Sequence, residues 1–325
     1  MKYKFLTLVV LAFFATSAAA QTRVWFDTDI MIGMPDKEAR EVDDGIALIM
    51  ALKQPNIQIV GISNITYVDY GFDMIHKILN WHHHGEAIPV YKGSPNADDL
   101  GTENDGTRAL YAALKKEKLT ILALGPMTNV ATVIKNHPDI IPQITSIAIC
   151  AARTPGLPFN PGNGKLNVFD YNYELDNQSM NVLLKSSVPL IFAGYQPSSY
   201  THIGNIDLAS LDLKEEADRW LYETVQPWMQ LNERLFGVRG FIPFDCATLG
   251  VITHPEYFAY YENIPIRVVR KKNDALTIQP QQPYKNFLEV SYQFKTGKKV
   301  RYAYKALQGF EEKILETLSV KATVK

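Results

Sequence analysis

Short apolar runs recur along the first two-thirds of the chain: RVWFDTD (23–29), IQIVGISN (57–64), IPVYKG (88–93), LTILALG (119–125), TSIAICAA (145–152) and VPLIFAG (188–194). They are rich in β-branched residues and continuous rather than alternating, the pattern of parallel strands covered on both faces. Between them, apolar residues repeat at helical spacing over 44–54, 70–84, 106–117, 128–137 and 176–186. A repeated strand–helix order of this kind predicts an α/β fold built on a doubly wound, mostly parallel sheet.

After Gly194 the pattern changes. A long amphipathic helix is expected around 213–236, followed by strand-like IPIRVVRK (264–271), ALTIQP (275–280) and FLEVSYQF (287–294), with a final helix near 300–318. This reads as a smaller antiparallel and helical C-terminal extension. Neither a Pro/Ser-rich linker nor a charge block divides the chain, and no 20–50-residue repeat is present, so residues 21–325 are expected to form one domain.

The first twenty residues, MKYKFLTLVVLAFFATSAAA, place two lysines before an apolar run and end in an Ala-x-Ala pattern, which is the signature of a signal peptide. Export to the periplasm or the medium is therefore expected, with the mature chain starting at Gln21. Composition then narrows the class. The chain has 46% hydrophobic and 21% charged residues; removing Lys2 and Lys4 leaves 31 basic against 34 acidic side chains, which disfavours nucleic-acid binding by bulk charge. No later stretch is apolar for the roughly 18 residues of a membrane span. Two cysteines, Cys150 and Cys246, do not make a disulfide scaffold, and free buried thiols are expected.

In an open α/β sheet, ligands bind beyond the carboxyl ends of the strands. The polar residues expected there are acidic. The first strand ends in Asp27 and Asp29, Asp43 and Asp44 open the next helix, the fourth strand ends at Leu124-Gly125-Pro126, the fifth leads toward Asn163, Asp170 and Asn172, and Asp245 opens a late helix. Several carboxylates share a dry site only with a cation between them. With no His or Cys beside Asp29 or Asp44, oxygen-only donors select a hard metal, Ca²⁺ or Mg²⁺. Either acid pair taken alone serves equally as a helix N-terminal or turn cap.

Four ordered blocks, DxD after the first strand, DD at the next helix, ALGPMTN after the fourth strand and the lone Asp of FDCATL, make the chain resemble the inosine-uridine preferring nucleoside hydrolase family. The resemblance spans about residues 22–256. It implies a Rossmann-like sheet, a Ca²⁺ ion and a homo-oligomer, and hydrolysis of the N-glycosidic bond of a nucleoside substrate. By the same resemblance Asp29 is a metal ligand and general base; Asp44, the Leu124 main-chain carbonyl and Asp245 complete the metal ligands. Asp43, Asp170, Asn172, Asn163 and Phe244 then contact the substrate, with Asp27 in support.

Three departures stand out. Thirteen residues, 30–42, separate DxD from DD, and the segment containing Asp36, Lys37, Glu38, Arg40 and Glu41 is expected to form a mobile, solvated excursion or lid. GISNITYVDY lacks the family's Gly-Asn ending, with Tyr67 and Val68 in its place. Phe244 stands where purine-accepting members carry a His. Arg153 and Arg239 are candidates for assisting the leaving base, and Tyr67, Tyr70, Phe159 and Tyr171 for stacking on it. Trp220 and Trp228, eight residues apart, fit one packed helix face. His82, His83 and His84 fit a helix end. Two other readings stay open at this point: a metal-dependent hydrolase of esters or phosphates using the same oxygen cage, and a relative that binds a sugar, nucleoside or other ribosyl compound without turnover.

Overall fold

The computed structural model describes residues 21–319 apart from 165, 205 and 206. The expected signal peptide lies outside the described residues. Six strands follow the sequence pattern: β1 (Thr22–Thr28), β2 (Ile57–Asn64), β3 (Val90–Lys92), β4 (Leu119–Ala123), β5 (Ile144–Ile149) and β6 (Leu190–Phe192). Helices α1 (Asp43–Leu52), α2 (Val68–His82), α3 (Asp105–Lys116), α4 (Thr128–Asn136), α5 (Tyr171–Leu175) and α6 (Asn177–Lys185) connect them, and α7 (Tyr195–Ser198) follows β6. The remainder is α8 (Glu216–Phe236), α9 (Phe244–Thr253), the strands β7 (Phe258–Lys272), β8 (Tyr284–Val290) and β9 (Lys298–Ala306), and α10 (Phe310–Ser319).

All nine strands join one sheet in the order β3-β2-β1-β4-β5-β6-β9-β7-β8. β1 to β6 pair in parallel, β9 adds to β6 in parallel, and β7 runs antiparallel to both β8 and β9. Alternation along each strand divides the core. Val24, Phe26 and Leu122 pack with α1, α2, α8, α9 and α10 on one face, and Trp25, Ile121 and Ala123 with α3, α4 and α6 on the other. Because both faces are covered, the central strands are largely apolar and turn polar chiefly at their carboxyl ends, as at Asp27, Thr28, Ser63 and Asn64.

Two expectations near the C-terminus are corrected. Residues 300–306 belong to β9 and not to the final helix, which begins only at Phe310. Val300 and Tyr302 alternate inward, 3% and 0% exposed, and this two-residue period, rather than helical spacing, governs the segment. ALTIQP forms no strand: the Ala275 N–H bonds to Asn273 Oδ1 and the Ile278 N–H to the Ala275 carbonyl, which turns the chain back on itself. Cys150 and Cys246 are both free and buried.

Candidate active site

The strand order reverses direction between β1 and β4, which opens a crevice beyond their carboxyl ends. Asp29 stands just past β1. Thr28 Oγ1 donates to an Asp44 carboxylate oxygen, and the Asp29 backbone N–H donates to the same side chain, so the strand end grips the first turn of α1. Asp43 and Asp44 occupy that turn and Asp245 the first turn of α9, so both helices point their positive ends at the acids. The Asp245 N–H donates to Asp43 Oδ2 at 3.3 Å, joining residues 202 positions apart.

One carboxylate oxygen from each of Asp43, Asp44 and Asp245 lies within 4.8 Å of the others. Asp29 is outside this trio but lines the same cavity with Leu124. A Cβ on Gly125 would come within 2.7 Å of Asp29 Oδ1, so a side chain there would displace the carboxylate. Burial, followed by repulsion from Asp44 and Glu41, holds Asp29 well above the usual carboxylate range. Burial and the neighbouring acids do the same to Asp43 and Asp245, whereas donors to Asp44 temper its rise. This donor set, anionic oxygens that cannot all ionise together, fits a hard divalent cation. Burial also pushes up the Cys150 thiol in the cavity wall, so it stays protonated and is a poor ligand.

Asp27 supports from below. Fully buried, it accepts from Ser63 Oγ and from Asn129 Nδ2 at 2.8 Å, while its Oδ2 has no partner. Asp170 caps α5 and receives the Ala152 N–H at 2.8 Å; burial lifts it to about 6. Asn172 donates to the Leu124 and Cys150 carbonyls, which ties the ends of β4 and β5 together. Both Asp170 and Asn172 line the cavity.

The rest of the cavity wall is largely apolar and aromatic, with Phe159, Tyr171, Phe244 and Trp228 in it, and Tyr171 stands within electrostatic reach of Asp29 and Glu41. Phe159 stacks on Tyr195, with ring centroids 4.5 Å apart, and Tyr195 packs on Phe244. Trp228 therefore serves the cavity, whereas Trp220 packs on Trp81. Tyr67 and Tyr70 do not line it.

Asn163 is exposed and outside the cavity wall; its side chain packs against the position where Gly237, at φ 76°, ends α8. Neither arginine reaches the cavity: Arg153 pairs with Asp274 at 2.8 Å and packs over Phe287, and Arg239 pairs with Glu233 at the surface. Three cavity residues escaped the reading of the sequence, although a helical stripe could have shown them. Trp228, Asn232 and Phe236 recur every four residues along α8.

Glu41 is the larger surprise. The excursion before it is anchored at both ends: Ile30, Met31, Ile32 and Val42 are buried, Tyr70 donates to the Ile32 carbonyl at 2.7 Å, and Arg234 pairs with Glu38. Only residues near 33–38 are solvated, and the chain returns Glu41 into the cavity wall. Burial and then Asp44 raise its carboxyl to about 7, against a lowering by Arg40.

The family model described as inosine-uridine preferring nucleoside hydrolase matches residues 24–301. Probable uridine nucleosidase 1 of Oryza sativa subsp. japonica is 22% identical over 69% of this chain and 77% of its own length. The pyrimidine-specific ribonucleoside hydrolase RihB of Shigella flexneri is 21% identical over 66% of this chain and 76% of its own. Among solved structures, a purine-preferring ribonucleoside hydrolase from Gardnerella vaginalis superposes with a TM-score of 0.71 at 17% identity, covering 92% of this chain and 98% of that one. The chain shares the fold of that enzyme, and the match across residues 24–301 makes it a member of the inosine-uridine preferring nucleoside hydrolase family, metal-dependent N-glycosidases that cleave ribonucleosides.

Proposed function

We propose that this protein is an exported, Ca²⁺-dependent nucleoside hydrolase in which Asp29 is the general base. One observation carries the reading: Asp29 and the trio of Asp43, Asp44 and Asp245 line the same cavity as the aromatic side chains Phe159, Tyr171 and Phe244. Asp29, Asp44, Asp245 and the Leu124 carbonyl would hold the cation, with Asp43 at its edge toward the ribose. When bound, the ion supplies the positive charge that lets these acids ionise together and acidifies a nearby water.

The chain's own groups do the rest. Asp29 accepts the proton of the attacking water, a role open to it as the ionised carboxylate once the cation offsets the neighbouring acids. Asp43, Asp170 and Asn172 orient the ribose, and the cavity acids stabilise positive charge developing on the sugar. The base lies among Phe159, Tyr171 and Phe244. None of the Lys, Arg or His residues described lines the cavity. Export rests on the N-terminal MKYKFLTLVVLAFFATSAAA, and homo-oligomeric assembly on the family resemblance.

Ribose release from a panel of purine and pyrimidine nucleosides tests the reading, with and without chelator, on wild type and Asp29→Ala. Chelation should abolish release, and Asp29→Ala should lower kcat by about a thousandfold or more. An Asp29→Ala protein as fast as wild type would exclude Asp29 as the base.

A further inference from the structure

Six carboxylates line the cavity: Asp29, Glu41, Asp43, Asp44, Asp170 and Asp245. Asp44 receives Thr28 and the Asp29 N–H, Asp43 the Asp245 N–H, and Asp170 the Ala152 and Tyr173 N–H groups. Glu41 has no hydrogen-bond or ion-pair partner among the described residues. Its neighbour Arg40 turns away to bond Asp36 and to lie over the Tyr67 ring, 5.5 Å from its centroid.

Glu41 is only partly buried, so solvent serves its carboxylate in the open cavity, and a ligand that excludes that solvent must replace its hydrogen bonds. None of the Lys, Arg or His residues described lines the cavity, and no neutral donor of its wall bonds Glu41, so a hydroxyl of the ligand is a fitting donor. Val42 alone separates Glu41 from Asp43, which places it among the acids of the cavity, where the sugar would lie. The buried ends of the 30–42 segment hold it in place without the help of a ligand.

We propose that Glu41 is a substrate-binding residue that accepts a hydrogen bond from a ribose hydroxyl, so that the 30–42 segment supplies part of the sugar site. The proposal rests on the nucleoside hydrolase reading of the same cavity.

The test pairs Glu41→Gln and Glu41→Ala with the best ribonucleoside substrate and its 2′-, 3′- and 5′-deoxy counterparts. For the analogue that lacks the partner hydroxyl, wild type should lose about ten- to a hundredfold in kcat/KM, the range of a hydrogen bond to a charged acceptor. Glu41→Ala should be slower on the parent substrate by a similar factor. It should then show no further loss on that analogue, while its ratios for the other two stay as in wild type. Ca²⁺ affinity, titrated without substrate, should be unchanged within about twofold. Should all three ratios persist in both variants, or Ca²⁺ binding weaken tenfold in Glu41→Gln, Glu41 is not a hydroxyl acceptor. An active wild type with these outcomes overturns only the role of Glu41; a wild type that releases ribose from no nucleoside overturns the parent reading with it.

Discussion

At His82 the last turn of α2 turns an imidazole inward, 8% exposed, and leaves its Nε2 without a partner. Burial, then Lys53 and His84, lower its pKa from 6.5 to about 4. The unfolded chain therefore binds the proton more readily than the folded one between those values. The stability that this neutral side chain contributes is complete above about pH 6.5 and is lost as the pH falls toward 4. The full difference amounts to about 3 kcal/mol. Urea unfolding at pH 7.5 and 4.5 should show wild type losing about 2–3 kcal/mol more on acidification than His82→Gln; equal losses would mean that the imidazole titrates normally. The three consecutive histidines marked a helix end in the sequence, but only the packing shows that the first of them is buried.

At the scale of an element, the 30–42 segment illustrates what local pattern misses. Its charged centre reads as solvent-exposed, and residues 35–38 are exposed. Its flanks are apolar and short, IMI before and a single Val42 after, too short to show a period. In the fold Ile32 is fully buried and packs against Gly45 of α1, where any Cβ would come within 2.5 Å of it. Ile32→Ala should cost about 2–5 kcal/mol in chemical unfolding, as expected of a buried truncation. Arg234→Ala, which breaks the exposed pair with Glu38, should cost under about 0.5 kcal/mol. A cheap Ile32→Ala would mean that the segment is the loose excursion its charges suggest.

Over the whole molecule, the C-terminal strands complete the sheet and brace the site. Lys285 on β8, 5% exposed, pairs at 2.6 Å with Glu174 on α5, the short helix that Asp170 caps. Gln279, from the turn between β7 and β8, also donates to Glu174 at 3.0 Å. Removing one partner strands a buried charge, so Glu174→Ala should destabilise by about 3–5 kcal/mol in guanidinium unfolding. The paired replacement Glu174→Met with Lys285→Met should recover most of that loss, since an apolar pair of similar volume avoids the desolvation cost. Failure of the double variant to recover would assign the loss to packing instead of charge.

The chain's own order of residues determines the parallel strands, the helices between them and the acids that end each strand, because side-chain periodicity and capping act within a few positions. DxD, DD, GPMTN and FDCATL are legible for the same reason: each needs a particular residue at a turn or first helical turn. Tertiary packing alone decides which of these acids meet. Asp245 reaches Asp43 across 202 positions only because α1 and α9 pack side by side with their N-termini together. It likewise decides that β9 inserts beside β6, that Asn163 stays outside the cavity wall, that Arg153 pairs with Asp274, and that Glu41 lines the cavity. Such contacts depend on how distant surfaces close on one another, for which no local spacing provides a signal.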